Sequence, residues 1–314
     1  MSQAGVTGTL LRKPGPPEIL GGAGRIEFHD ERLREALDPG APLLCLYEHA
    51  SFSEGTVWDA PRQRLVWSDV VGRRVLGWSE DGRVEVVVDA TAFINGNAVD
   101  RDGHLVHCEH GRRCLSRSDH DGEAVPFLTH FEGRRFNSPN DVTLAPDGTL
   151  WFSDPTFGLN MPTQGSLREA ELDHRSVYRF DAASGEVRRM ADFEQPNGLE
   201  FSPDGSILYV SDTGRALDGS THEIVAFDVA RDGSLSNRRL FREIEPGIPD
   251  GFVVDGRGWI WCTSQPGIQV FAPDGTPLGL IPTPTSCANC VFGGPGGCRL
   301  FIAAEHRLLA VDLR

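Results

Sequence analysis

The sequence predicts an all-β protein, a six-bladed β-propeller with four-stranded blades. Three observations point there. A strand–turn–strand unit recurs six times, an acid or amide heads every unit, and 36 Gly and 21 Pro in 314 residues favour turns over long helices. A chain of this length can be one all-β domain and can bury a large core without disulfides.

The units run in order along the chain. Glu54-Gly55-Thr56-Val57-Trp58 leads through Ala60-Pro61 into RLVWSD, and Asn97-Ala98-Val99 leads through Asp102-Gly103 into HLVHCEH. Asn140-Asp141 precedes the alternation of Val142 and Leu144, then Pro146-Asp147-Gly148 and the return strand LWFSD. Asn197-Gly198-Leu199 leads through Pro203-Asp204-Gly205 into ILYVSD, and Asp250-Gly251-Phe252 through Asp255-Gly256 into WIWCTS. Asn289-Cys290-Val291 leads through a Gly/Pro turn into RLFIAAE. The anchors at 54, 97, 140, 197, 250 and 289 are 43, 43, 57, 53 and 39 residues apart, a blade-like period. Further strand signals between them (VLGWS, SVYRFD, EIVAFDV, IQVFAPDG) bring each unit to about four strands. A sandwich would not explain one polar position recurring at so long a period.

Residues 41–314 are expected to form the propeller and residues 1–40 an arm packed on it. RLLAVDLR at the C-terminus and LLCLYEHA near the N-terminus are expected to pair and close the ring. Within the arm, Asp30 is placed to cap a short helix over Glu31–Leu37, stopped by Pro39-Gly40. Pro155–Ser176 is the longest insertion, and Phe157, Leu159 and Met161 within it are apolar residues that a solvated loop does not need.

Charge and cysteine usage exclude several classes. A net charge of −15 argues against nucleic acid or an anionic membrane surface as partner, and no apolar stretch approaches a membrane span. The N-terminus lacks a secretory h-region, and an odd count of seven cysteines within apolar runs fits free thiols, so a cytoplasmic protein is expected. Cys287-Ala288-Asn289-Cys290 has no second pair to make a zinc site. No GxSxG elbow occurs, and His222-Glu223-Ile224-Val225-Ala226 lacks the second histidine of HExxH. His104, His107, Cys108 and His110 share one strand pair and read as packing or surface residues.

In a propeller, the first strand of each blade lines the central channel. Glu54, Asn97, Asn140, Asn197, Asp250 and Asn289 would then form a ring of oxygen-bearing side chains. Converging carboxylates repel, and a divalent cation would relieve Glu54 and Asp250; all-oxygen ligation favours Ca²⁺ before Mg²⁺ or Mn²⁺, with Zn²⁺ less favoured. Side chains that brace turns would account for Asn97 and Asn289 equally well, but not for Glu54.

Glu54-Gly55-x-Val57-Trp58, Arg135-Phe136-Asn137-Ser138-Pro139-Asn140-Asp141, Pro196-Asn197-Gly198 and Pro249-Asp250-Gly251 together resemble the senescence marker protein/gluconolactonase (regucalcin-like) family of six-bladed propeller lactonases. The likeness runs from about Leu43 to the C-terminus, and Thr56 stands where relatives commonly carry proline. It implies one divalent metal ion, Ca²⁺ first and Zn²⁺, Mn²⁺ or Mg²⁺ as alternatives, on Glu54, Asn140, Asn197 and Asp250. It implies Asp250 as general base and Arg135 as a substrate contact; Asn140, and Asn97 to which the resemblance assigns no role, are expected to touch the substrate beside them. The expected activity is hydrolysis of a sugar lactone by a monomer or small homo-oligomer, with the small molecule as partner and neither nucleic acid nor membrane. Hydrolysis of organophosphates or other esters on the same fold is the alternative chemistry, and a non-catalytic binding scaffold the alternative class.

Overall fold

The computed structural model describes residues 9–20, 25–119 and 122–314; the first eight residues and 21–24 of the expected arm lie outside them. Six antiparallel sheets stand around a channel. Their first strands are Ser53–Asp59, Ile94–Val99, Val142–Leu144, Pro196–Phe201, Phe252–Val254 and Asn289–Gly293. Each packs beside the first strand of the next blade, and the sixth packs beside the first, so the ring is closed.

Closure uses chain from both ends, as the sequence predicts. Arg307–Asp312 is the third strand of the last blade, and Leu44–Tyr47 pairs with it as the fourth, Leu308 opposite Tyr47 and Ala310 opposite Leu44. The expectation of uniformly four-stranded blades is corrected at three places. Leu10–Arg12 adds a fifth strand to the first blade, Glu27–Phe28 to the fifth and Glu18–Ile19 to the sixth. At two or three residues, these strands are too short to give a period-2 pattern. Asp30 caps the helix that follows by accepting the Arg32 N–H, but the helix is a 3-10 turn over Glu31–Glu35, shorter than expected.

The core lies between blades. Among the described residues six apolar clusters fill the six blade interfaces; Trp67, Trp78 and Phe301, for example, join the first blade to the last. Leu33 and Leu37 are fully buried in the cluster between the fifth and sixth blades, which ties the N-terminal segment to the ring. No described helix is long and apolar enough to cross a membrane.

Candidate active site in the central channel

The strand register shows which residues are equivalent. In five blades, two residues at the head of the first strand face a single residue of the second strand, a β-bulge. Asn140 N–H donates to the Ser153 carbonyl (2.9 Å), while Ser153 N–H donates to the Asp141 carbonyl (3.0 Å). The register shifts likewise set Asn95-Gly96 opposite Cys108 and Asn197-Gly198 opposite Ser211. Asp250-Gly251 faces Thr263, and Ala288-Asn289 faces Ala303. In the first blade Glu54 pairs with Ser68, the matching residue of its second strand, and the bulge follows at Gly55 (φ +51°). Bulges re-aim side chains beside functional sites. Here they turn the leading residue of each pair.

The equivalent ring is therefore Glu54, Asn95, Asn140, Asn197, Asp250 and Ala288. A second pattern supports the same alignment. Ser68 Oγ donates to the Asn95 carbonyl (2.6 Å), Ser211 Oγ to the Asp250 carbonyl (2.8 Å) and Thr263 Oγ1 to the Ala288 carbonyl (3.3 Å). The glycines at the second bulge position are sterically required. A Cβ on Gly96 would lie 2.5 Å from the Asn140 carbonyl oxygen, and one on Gly198 2.6 Å from that of Asp250.

Asn97 and Asn289 do not belong to this ring, which corrects the expected repeat. Asn97 lies two residues further along its strand. Its Nδ2 donates to the carbonyl of Gly55 and to Ser68 Oγ (2.6 and 2.8 Å), and its Oδ1 accepts from His107 Nδ1 (2.6 Å). The amide is consumed by the scaffold and has no free group for a substrate. Asn289 occupies the second bulge position. Its Oδ1 accepts from Thr56 N–H and Oγ1 (3.2 and 2.7 Å), and its Nδ2 lies 3.5 Å from Asp141 Oδ2 in the opposite blade. Asp141 and Asn289 thus form a polar floor across the channel.

A buried carboxylate holds each of three ring residues in place. Asp69 accepts the N–H groups of Ser51 and Phe52, Asp154 those of Asn137 and Ser138, and Asp212 those of Glu194 and Gln195. These donors precede Glu54, Asn140 and Asn197 by three and two residues. The SD pair ending LVWSD, LWFSD and LYVSD is the sequence signal for this brace.

Electrostatics make the channel a place for a cation. Burial, and then the charges of Asp250 and Asp141, hold the Glu54 carboxyl well above the usual carboxylate range. Burial and the charge of Asp141 push Asp250 up to about 7, opposed by a hydrogen bond from Asn197. Burial pushes Asp141 to about 7 as well. Among the described residues, the Asn140 Oδ1 and the Asn95 side chain have no hydrogen-bond partner in the protein, although Asn140 is 4% and Asn95 2% exposed. Three crowded carboxylates and free amide oxygens suit a hard divalent ion, so the residues present fit one.

Neighbouring elements complete the site. Asn140 Nδ2 lies 3.3 Å from His110 Nε2, so His110, expected from the sequence to be a packing or surface residue, stands beside the ring. Burial pulls His110 down to about 4 and leaves it neutral. The insertion reaches the anchor side of the ring: Ser138 Oγ donates to the Pro155 carbonyl (2.7 Å), and Thr156 N–H donates to Gln195 Oε1 (2.9 Å). Arg135 stands in a short hairpin with its guanidinium on the Arg112 carbonyl (2.6 Å), and among the described residues none of its hydrogen bonds reaches Asn140.

Two other features lie apart from the anchors. A cavity of about 340 Å³ opens on the far side of the floor, lined by Glu200, Thr143 and Trp58 beside Asp141 and Asn289. It excludes Glu54, Asn140, Asn197 and Asp250, so it is not where their chemistry would occur. Asp100, Asp102 and His104 bring ligand atoms within 4.8 Å of one another on the turn after the first strand of blade two. Arg117 already pairs with Asp100 (3.0 Å), which makes that trio a weak cation site.

Comparison with known proteins agrees with this architecture. Residues 52–306 match the family model described as the SMP-30/Gluconolactonase/LRE-like region. A gluconolactonase of Zymomonas mobilis is 29% identical over 92% of this chain and 86% of its own length. A pentonolactonase of Haloferax volcanii is 29% identical over 79% of this chain and 80% of its own. A solved structure from Xanthomonas campestris, described as a gluconolactonase, superposes with a TM-score of 0.92 at 48% identity, covering 97% of this chain and 99% of that one.

Proposed function

The chain belongs to the SMP-30/gluconolactonase/LRE-like family, and from that premise we propose that it hydrolyses sugar lactones to aldonic acids with the help of one divalent ion. The observation that carries the reading is the meeting of Glu54 and Asp250 from opposite parts of the sequence, buried and half-buried at the heads of first strands and close enough for the Asp250 charge to disfavour ionisation of Glu54. A binding scaffold has no need of such a costly arrangement.

Glu54, Asn140, Asn197 and Asp250 would hold the ion, with Ca²⁺ the first expectation from an all-oxygen set. A bound divalent ion supplies Lewis acidity towards the lactone carbonyl and acidifies water. Asp250 would accept the proton of the attacking water at its carboxylate and later pass it to the leaving ring oxygen. Asn197 steadies that carboxylate through the hydrogen bond it gives it. Neutral amides from two blades add no further negative charge to the ligand set, so the ion keeps more of its pull on a developing oxyanion. The segment from Pro155 to Ser176 would form a wall of the substrate pocket, since its first residues join Ser138 and Gln195 beside the ring.

The test is hydrolysis of an aldonolactone panel by purified protein before and after chelation. Activity should disappear with the metal and return on adding Ca²⁺, Mn²⁺ or Zn²⁺ to differing extents. Full activity in metal-free protein would sink the proposal.

A further inference from the structure

We propose that His110 is a positioning residue that fixes the amide of Asn140 with its oxygen towards the channel and couples the 155–176 segment to the metal site. The inference rests on the reading of Asn140 as a ligand.

Its geometry leaves one arrangement of protons. His110 Nδ1 lies 3.0 Å from the Gln164 carbonyl oxygen, which can only accept, so Nδ1 carries the hydrogen. Nε2 is then a lone pair, 3.3 Å from the Asn140 side-chain nitrogen. Only the amide NH₂ can face that lone pair favourably. Were the amide reversed, oxygen would oppose nitrogen at this distance with no proton between them. A histidine held in one tautomer by its far nitrogen is the usual device for orienting groups around a metal, moved here one residue outwards.

The segment cannot easily slide away from His110. A Cβ added at Gly158 would sit 2.6 Å from His110 Cβ and 2.8 Å from Ser138 Cβ, so helix backbone lies directly on the imidazole. A Cβ at Gly165 would lie 2.0 Å from the Gly158 carbonyl oxygen, and Ser166 N–H donates to that same oxygen at 2.9 Å. The chain therefore doubles back and delivers the neighbouring Gln164 carbonyl to Nδ1. A change in the insertion would reach Asn140 through two hydrogen bonds.

Two measurements test this. Divalent affinity is read by calorimetry with Mn²⁺ and Ca²⁺ for the wild type, His110→Leu and His110→Gln, with Glu54→Gln marking the channel site. His110→Leu should weaken binding by about 10–100-fold. His110→Gln restores an acceptor near the Nε2 position and should recover most of the loss, which a purely steric role would not produce. Nitrogen-15 NMR of wild-type protein should show a neutral ring protonated at Nδ1, a result that does not depend on either variant folding. His110→Leu binding as the wild type does, or a ring protonated at Nε2, overturns the inference alone. A wild type that binds no ion sensitive to Glu54→Gln overturns the reading of the channel and the inference with it.

Discussion

At the scale of single residues, Asp250 and His107 make opposite demands on protonation. Asp250, in blade five, holds the ring position that amides hold in blades two to four, so Asp250→Asn is sterically mild and keeps an oxygen ligand. Measured at saturating metal, turnover should fall by about 10²–10⁴-fold, the usual loss for a general base. Retention of more than about a tenth of the activity, well short of a general-base loss, would make Asp250 a ligand only. Asn95→Ala is the matched control, because Asn95 holds the equivalent bulge position; Asn97→Ala would instead strip His107 of its partner. His107 is fully buried between Asn97 and Ser118 (2.8 Å), and burial draws it down to about 3. An unfolded imidazole titrates near 6.5, so the unfolded chain binds the extra proton first as pH falls. The stability contributed by neutral His107 is complete above about 6.5 and is lost towards 3, at up to about 1.4 kcal/mol per pH unit. Denaturant melts from pH 7 to 4 should show a shallower acid decline for His107→Gln than for the wild type. Equal slopes would mean that His107 does not titrate differently on folding.

At the scale of elements, the bulge and the carboxylate brace decide where a ring residue points. Asp154 receives two N–H groups at 2.8 Å each, and leaving both unpaired in the interior costs about 1–3 kcal/mol per group. Asp154→Ala should lower the melting temperature and weaken divalent binding, because Asn140 follows the freed segment directly. Unchanged metal affinity in a destabilised Asp154→Ala would separate the brace from the site. The same elements explain what could be read in advance. Three turn glycines were legible, and counting back eight residues from Gly103, Gly148 and Gly205, all at positive φ, reaches Asn95, Asn140 and Asn197; in blade five the sequence pointed to Gly256, whereas Gly258 is the one at positive φ, eight residues after Asp250. Counting forward from the nearest amide-plus-apolar pair chose Asn97 instead, since both asparagines flank Gly96 and a bulge leaves no mark in periodicity. His110 was beyond sequence reasoning for another reason. Its partners are a backbone carbonyl 54 residues away, which leaves no side-chain signature, and the amide of the anchor Asn140, 30 residues away, whose motif does not point to His110.

At the scale of the whole molecule, the ring holds only if its last blade is completed by its first residues. Leu44–Tyr47 is the fourth strand of the sixth blade, and its loss would expose the edge of Arg307–Asp312 together with the apolar faces of Trp67 and Phe301. The segment just before it contributes Leu33 and Leu37 to the interface between blades five and six, each worth about 2–5 kcal/mol if emptied. The strand Leu10–Arg12, by contrast, only adds an edge to a blade that already has four strands, and its own residues are exposed or half-buried. Two truncations separate these contributions. A chain lacking residues 1–17 should fold, unfold cooperatively and bind metal, with a melting temperature lowered by only a few degrees, as a cost of about 1 kcal/mol implies for a domain of this size. A chain lacking residues 1–48 should show no cooperative transition and should aggregate, because an open propeller offers an unpaired strand edge and two uncovered blade faces. The proposed ligands stand at the heads of the first strands, whose spacing is set by closure, so divalent binding should vanish in the longer truncation together with the transition. A cooperative melt near the wild-type temperature without residues 1–48 would mean that five complete blades and one three-stranded blade suffice. The channel geometry would then be fixed blade by blade and not by the ring.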